Sequence, residues 1–380
     1  MISNDLEKYD SFDDMELNSR LLRNIYAMGF ERPSHIQSYG IVPITQHKDI
    51  LAQSQSGTGK TGAFLIGTIQ NIDPSIKHPQ TLIIVPTREL AIQIHSIVEQ
   101  LVKHMDIQYS LCVGGMDIDK NNREKIKSQI IVGTPGRINK LIEINLLITT
   151  NIHMLVLDEM DELLSDDFSA QMKSIIDRLS YDTQKIFFSA TLKEQTQKIC
   201  DILMKDNYSK ILLNSDEITL DGINQFFINV IHDNQKLDTL IDLYAKISIS
   251  QSIIYVNTIK RGEWLHNRLI ERGHAVSLIH SNFKLQDRKR ILSSFARGET
   301  RVLISTDLLA RGIDIQQISV VINYDIPFDI ENYIHRIGRS GRFGRKGCGI
   351  NFVTMNDIDQ IKKIEQFYDT EIKPFREDDI

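Results

Sequence analysis

The chain has 380 residues, 41% hydrophobic and 25% charged, the composition of a folded protein with material for about two domains. No run of roughly 18 apolar residues could span a bilayer, and Met1-Ile2-Ser3-Asn4-Asp5-Leu6-Glu7 lacks the basic and apolar regions of a secretory signal, so membrane insertion and secretion are not expected. Cys112, Cys200 and Cys348 are far apart and match neither a paired disulfide framework nor the close ligand pairs of a structural zinc site, which points to a reducing compartment.

The formal net charge of -6 argues against a nucleic-acid partner, because such domains usually carry a basic footprint. Divided before Gly222, however, the first part has 30 acidic and 22 basic residues and the second 20 and 22. The halves are electrostatically different. Arg336, Arg339, Arg342, Arg345 and Lys346 crowd into one glycine-rich stretch suited to phosphate, with a solvated charge run as the alternative.

In chain order, short apolar runs at 49–52, 82–85, 130–132, 154–157 and 186–188 read as buried strands, and helical spacing appears over 63–69 and 89–102. The rhythm begins again with runs at 253–256, 276–279, 302–304 and 320–322, alternating with helix-like 264–271 and 286–295. Two α/β domains with mainly parallel sheets follow from this alternation. The polar segment 214–222 ends in the turn pair Asp221-Gly222, so the expected division is 1–217, a linker at 218–222, and 223–380.

Nucleotide chemistry is concentrated at two places in the first domain. The run at 49–52 leads into Gln53-Ser54-Gln55-Ser56-Gly57-Thr58-Gly59-Lys60-Thr61 and then a helix. Gly57 and Gly59 allow tight turns whose amides face phosphate oxygens, with Ser56 and Thr58 in the same stretch. Lys60 can neutralise the β- and γ-phosphates, and the Thr61 hydroxyl can ligate Mg2+. Ser54 stands where the pattern usually has its first glycine, and a merely flexible loop is the alternative. The strand at 153–157 ends in Asp158-Glu159-Met160-Asp161, at the strand end where α/β sheets bind ligands. Asp158 is placed to hold Mg2+, partly through water, and Glu159 to orient and help deprotonate an attacking water; an acidic helix start with Asp158 as cap is the alternative. Asp161 reads either as a local cap or as a link between motifs. Together the two places define an NTPase.

With Ser189-Ala190-Thr191 at the end of a further strand, these residues resemble the DEAD-box RNA helicases, and the match runs along nearly the whole chain. The resemblance implies two tandem RecA-like domains with a nucleotide cleft between them. It makes Gly29-Phe30-Glu31-Arg32-Pro33-Ser34-His35-Ile36-Gln37 an adenine-recognising motif, with Gln37 reading the base, Phe30 beside it and Phe12 as the isolated upstream aromatic, and hence ATP as the nucleotide. Pro86-Thr87-Arg88, Gly114-Gly115 and Thr134-Pro135-Gly136-Arg137 resemble RNA-backbone motifs, and hydroxyls, helix-start amides and arginines suit that role. Ser305-Thr306-Asp307, Ala310-Arg311-Gly312-Ile313-Asp314 and His335-Arg336-Ile337-Gly338-Arg339-Ser340-Gly341-Arg342 resemble the second-domain motifs. By that resemblance Thr306 and Arg311 touch RNA, Asp314 approaches the ribose, and Arg339 and Arg342 are arginine fingers. Asp161, Ser189, Thr191, His335 and Arg336 link the nucleotide site to the other motifs.

Phe12-Asp13-Asp14-Met15, Ala52-Gln53 and Arg342-Phe343-Gly344-Arg345-Lys346-Gly347 are closest to the translation initiation factor 4A branch, which implies RNA, single-stranded or locally duplex, and a translation-initiation scaffold as partners, with a cytoplasmic location. The motifs also leave a nuclear or viral context open as the alternative. Both catalytic halves lie in one chain, so a monomer suffices. Three departures from the family pattern stand out. Met160 occupies a position usually held by alanine, with altered coupling and retained ATPase activity as the expectation. His280-Ser281-Asn282 replaces His-Gly-Asp, and Leu285 stands where a glutamine precedes Arg288. The competing functions are an ATP-dependent RNA clamp with slow turnover and a DNA-directed helicase.

Overall fold

The structure, a computed structural model, describes residues 2–3, 6–54, 58–115, 125–164, 166–192, 194–205, 207–212, 223–246, 249–307, 318–338, 340 and 347–376. The chain separates into two compact units, Met1–Asn214 and Ser215–Ile380. The expected linker at 218–222 lies outside the described residues. Among the described residues, no helix is long and apolar enough to cross a membrane.

The first unit begins with a 3-10 turn, Phe12–Met15, and continues through α1 (Ser19–Ala27), α2 (His35–Thr45), β1 (Ile50–Gln53), α3 (Lys60–Gln70), β2 (Thr81–Ile84), α4 (Arg88–Leu101) and β3 (Tyr109–Cys112). It is completed by β4 (Ile130–Gly133), α5 (Pro135–Glu143), β5 (Met154–Leu157), α6 (Met160–Leu163), α7 (Asp166–Ile176), β6 (Gln184–Ser189), α8 (Glu194–Leu203) and β7 (Ser209–Leu212). The strands form one parallel sheet in the order β3-β4-β2-β5-β6-β1-β7. Its central strands β2, β4, β5 and β6 are buried at every residue. That is why they read as unbroken apolar runs: helices cover both faces of a parallel sheet.

The second unit contains β8 (Ile223–Asn229), α9 (Lys236–Lys246), β9 (Ser252–Tyr255), α10 (Ile259–Glu271), β10 (Val276–Ile279), α11 (Leu285–Ala296) and β11 (Val302–Ser305). After it come β12 (Val320–Asn323), α12 (Ile330–Ile337), β13 (Gly347–Val353), α13 (Ile358–Tyr368) and β14 (Lys373–Pro374). Its parallel sheet has the order β10-β11-β9-β12-β13-β8-β14. Strand for strand this is the order of the first sheet, so β8 corresponds to β1 and β12 to β5. Alternate strand residues serve opposite faces: Ile253, Leu303 and Val321 enter one core, Ile254, Ile304 and Ile322 the other. In both sheets the carboxyl ends of the parallel strands share one edge, and the loops carrying the sequence motifs leave from it.

Candidate active site

The phosphate loop follows β1. Ser56 and Gly57 lie outside the described residues, whereas Thr58 and Gly59 lead directly into Lys60 and Thr61 in the first turn of α3. Thr58 shares a hydroxyl–hydroxyl hydrogen bond with Ser54, so the serine that breaks the expected glycine pattern closes the base of the loop. Gly59 has φ +95°, in the left-handed region that glycine adopts at little cost. The Lys60 side chain is held in a site only 8% exposed.

Gln37, almost fully buried on α2, reaches this loop from the side. Its Oε1 accepts from the Ser34 amide at 2.9 Å and its Nε2 donates to the Gly59 carbonyl at 3.1 Å. One amide hydrogen and one lone pair of Gln37 remain beyond these two bonds, enough for one base edge. A Cβ at Gly62 would stand 2.5 Å from Gln37 Nε2 and 3.6 Å from Phe30 Cε1, so both residues converge on the start of α3. Phe12 sits behind them, fully buried, with its ring edge-to-face on Phe30 at 6.4 Å and on Tyr26 at 6.3 Å. Phe12 therefore supports Phe30 and offers no face to solvent.

Asp158 follows β5 and is 4% exposed. Burial pushes its carboxyl above the ordinary aspartate value, and the Lys60 charge and the Glu159 amide oppose the rise. That amide donates to Asp158 Oδ1 at 3.0 Å. Glu159 adopts φ +56°, an uncommon conformation for a residue with a side chain and one that clusters at functional sites. Glu159 is the N-cap of α6, so this left-handed residue is where the chain leaves β5 for the helix. The two oxygens of Asp161 accept from Ser189 Oγ at 2.9 Å and Thr191 Oγ1 at 3.0 Å. β6 lies between β5 and β1, which puts Ser189 and Thr191 between the acidic turn and the phosphate loop. Met160 is fully buried in the core with Cys200 Sγ 3.5 Å from its sulfur.

The three strings read as RNA-backbone motifs leave from neighbouring strands. Pro86-Thr87-Arg88 follows β2, Gly114-Gly115 follows β3 and Thr134-Pro135-Gly136-Arg137 follows β4, and the sheet order sets β3, β4 and β2 side by side. The Arg88 guanidinium covers the glycine pair: a Cβ at Gly114 would lie 2.8 Å from Arg88 Nη2. Thr87 caps α4 by accepting from the Leu90 amide at 3.3 Å. Thr134 and Pro135 begin α5, with Gly136 exposed. Arg137 lies close enough to Cys112 to oppose the burial that pushes this thiol up to about 11.

In the second unit Thr306 is half-buried after β11, and Arg311, Asp314, Arg339 and Arg342 lie outside the described residues. His335 and Arg336 occupy the last turn of α12 and are buried. Arg336, read from sequence as part of a basic cluster, does not face solvent. Its Nε donates to Asp307 at 2.6 Å, Nη1 to the Asp325 carbonyl at 2.7 Å and to Asn323 at 3.3 Å, and Nη2 to Asn257 at 2.8 Å. A desolvated guanidinium is retained only with its charge and donors satisfied. Arg336 thus ties together the loops after β9, β11 and β12. Of the residues that make these contacts, Ser34 and Asp307 lie within motif strings read from the sequence without an individual role, whereas Asn323 and Gly62 lie outside them.

Comparison with known proteins agrees with this geometry. Residues 34–199 match the DEAD/DEAH box helicase family and residues 235–344 the helicase conserved C-terminal domain. The ATP-dependent RNA helicase eIF4A of Kluyveromyces lactis is 49% identical over 96% of this chain and 92% of its own length. That of Chaetomium globosum is 48% identical, covering 98% and 94%. The chain belongs to the DEAD-box family of ATP-dependent RNA helicases. Among solved structures, S. cerevisiae Dbp5 bound to RNA and ADP BeF3 matches with TM-score 0.91 and 37% identity over 98% of this chain and 97% of that one. Mss116p bound to ssRNA and AMP-PNP matches with TM-score 0.85 and 25% identity over 97% and 80%. The two parallel sheets are accordingly the two RecA-like domains of a DEAD-box helicase.

Proposed function

We propose that this DEAD-box protein hydrolyses ATP in an RNA-stimulated cycle that unwinds or remodels RNA locally, with little sequence selectivity, in translation initiation. The observation that carries the reading is the acidic turn: Asp158 buried within the field of Lys60, followed by Glu159 in a strained left-handed conformation and by Asp161 bonded to Ser189 and Thr191. The eIF4A relatives support the translation role and an initiation-scaffold partner, with the cytoplasm as the place of action. The domains are taken as 1–217 and 223–380, joined by 218–222.

Lys60 holds the β- and γ-phosphates on the amides at the start of α3, while Gln37 and Phe30 select adenine, with Phe12 supporting Phe30. The hydroxyl of Thr61 and the carboxylate of Asp158 are hard oxygen donors that fit Mg2+. Bound there, Mg2+ would neutralise charge on the phosphate oxygens. Glu159 orients the attacking water and accepts its proton, and Arg339 and Arg342 serve as arginine fingers that stabilise charge on the transferred phosphoryl group. Asp314 is assigned to ribose recognition. Asp161, Ser189, Thr191, His335 and Arg336 pass the state of the nucleotide site to Pro86, Thr87, Arg88, Gly115, Thr134, Pro135, Gly136, Arg137, Thr306 and Arg311 along the RNA backbone. Contacts of that kind carry little sequence information and weaken with salt.

The test is steady-state ATP hydrolysis with Mg2+ by wild type and Glu159→Gln, without nucleic acid and with single-stranded RNA or DNA of matched length. RNA-selective stimulation, lost by about 10²-fold or more in the variant, is the expected result. Equal stimulation by DNA would indicate a DNA-directed helicase. ATP-dependent RNA binding without multiple turnovers would indicate an RNA clamp.

A further inference from the structure

A buried chain of side-chain hydrogen bonds starts at Arg336 and crosses the second sheet. Arg336 Nη1 donates to Asn323 Oδ1 at 3.3 Å, and Asn323 Nδ2 to Asn351 Oδ1 at 2.8 Å. Asn351 Nδ2 donates to the Tyr333 hydroxyl at 3.1 Å, that hydroxyl to Gln225 Oε1 at 2.9 Å, and Gln225 Nε2 to Thr370 Oγ1 at 2.8 Å. Every bond runs in the same donor-to-acceptor direction away from the guanidinium, so each polarises the next. Arg336, Asn323, Asn351 and Tyr333 are all within 1% of complete burial, and Gln225 is 6% exposed.

Sheet pairing alone does not call for this chain. Asn323 and Asn351 are direct partners on β12 and β13, on the face that Val321 and Val353 share with the apolar core, where aliphatic side chains would avoid desolvating two amides; Asn351 Nδ2 also donates to the Phe226 carbonyl at 2.9 Å, which ties it to β8. Nor does the charge of Arg336 require it, since Asp307 already neutralises that charge at 2.6 Å. What the amides add is direction. They fix the roll of α12 twice, once through Arg336 and once, three residues earlier on the same helix, through Tyr333. α12 ends at Ile337 with Gly338 as its C-cap, and Arg339 is the next residue in the chain.

We infer that Asn323, Asn351, Tyr333 and Gln225 form a positioning relay that sets the orientation of α12 and Arg336, and through them the catalytic step but not ATP capture. The inference rests on the helicase reading, in which ATP is captured by the first unit and Arg339 acts from the second. Gln225 lies on β8, far along the chain from α12 and outside every helicase motif, so it separates the relay from direct chemistry.

The test compares Gln225→Leu, Gln225→Glu and Tyr333→Phe with wild type in the full chain. Gln225→Leu and Tyr333→Phe break the relay. Gln225→Glu keeps the acceptor for Tyr333, and its second oxygen can bond the Thr370 hydroxyl. Expected are a roughly tenfold loss of RNA-stimulated kcat in the Leu and Phe variants, an ATP KM within twofold of wild type, and recovery in the Glu variant. In parallel, the Arg336 Nε–H resonance of ¹⁵N-arginine-labelled protein, assigned by Arg336→Lys, should shift in the Leu and Phe variants and return in the Glu variant. An unmoved resonance, or a kcat that falls equally in the Leu and Glu variants, overturns the relay. Absence of RNA-stimulated hydrolysis in wild type would refute the functional reading instead, with the resonance still deciding the relay.

Discussion

Gln37 and Gly59, on different elements of the first unit, are joined by a 3.1 Å hydrogen bond from the side-chain amide to the backbone carbonyl of the phosphate loop. The bond joins the proposed base-reading side chain to the loop proposed to bind phosphate. Gly62 is the space that permits it. Replacing glycine by alanine inside a helix ordinarily stabilises it by about 1 kcal/mol, yet Gly62→Ala would set a Cβ 2.5 Å from Gln37 Nε2. We expect Gly62→Ala to weaken ATP binding by about tenfold, the value of one displaced hydrogen bond, in a titration with a fluorescent ATP analogue. An unchanged Kd would remove Gln37 from adenine recognition.

Asp161 accepts two hydroxyl hydrogen bonds, so Ser189→Ala with Thr191→Ala leaves its carboxylate without both. The double variant is expected to keep Mg2+-dependent ATP hydrolysis, because Lys60, Asp158 and Glu159 are untouched, and to lose duplex unwinding. The stability cost should be about 1–3 kcal/mol by chemical denaturation. Loss of hydrolysis together with unwinding would place the two hydroxyls in the chemical step itself.

Met160 occupies its unusual position by filling core space against α8. Burial pushes the Cys200 thiol up to about 12, with Asp201 adding to the rise, so at neutral pH it remains protonated and able to donate weakly to the Met160 sulfur. Met160→Ala would leave a cavity worth about 2–5 kcal/mol, lowering Tm, whereas Met160→Leu should cost less than about 1.5 kcal/mol. Both variants should keep ATPase activity, and Met160→Ala should change the amount of duplex unwound per ATP. If hydrolysis and unwinding are both unaltered, the residue has no part in coupling.

His280 opens the departure at 280–282. Burial pushes its imidazole below the usual value of 6.5; Glu263, 3.7 Å away, opposes the shift and Arg288 adds to it. The unfolded chain takes up a proton near 6.5 while the folded chain still holds the ring neutral. Stability is therefore retained above the usual value and lost as pH falls from it toward the lower folded value. Thermal unfolding between about pH 5 and pH 8 should show this slope in wild type and a flatter profile in His280→Gln.

Much of this molecule could be read from its residues. Buried parallel strands such as Met154–Leu157 declare themselves because both of their faces are apolar, and the nucleotide loop because its groups are consecutive. Strands of mixed burial gave no such signal: Tyr109–Cys112 and Ser209–Leu212 keep partly exposed residues, and Ile223–Asn229 interleaves amides with its aromatics. The same division applies to the site. The sequence determined which acids, hydroxyls and arginines were available and the order in which they come. Only the tertiary structure decided that Phe12 stands behind Phe30, that Asp161 reaches Ser189, and that Arg336 is a buried tie and not part of a basic surface. Those outcomes depend on residues brought together from different elements, and a side chain's distance from such a partner is set by sheet order and helix packing, which no local spacing encodes.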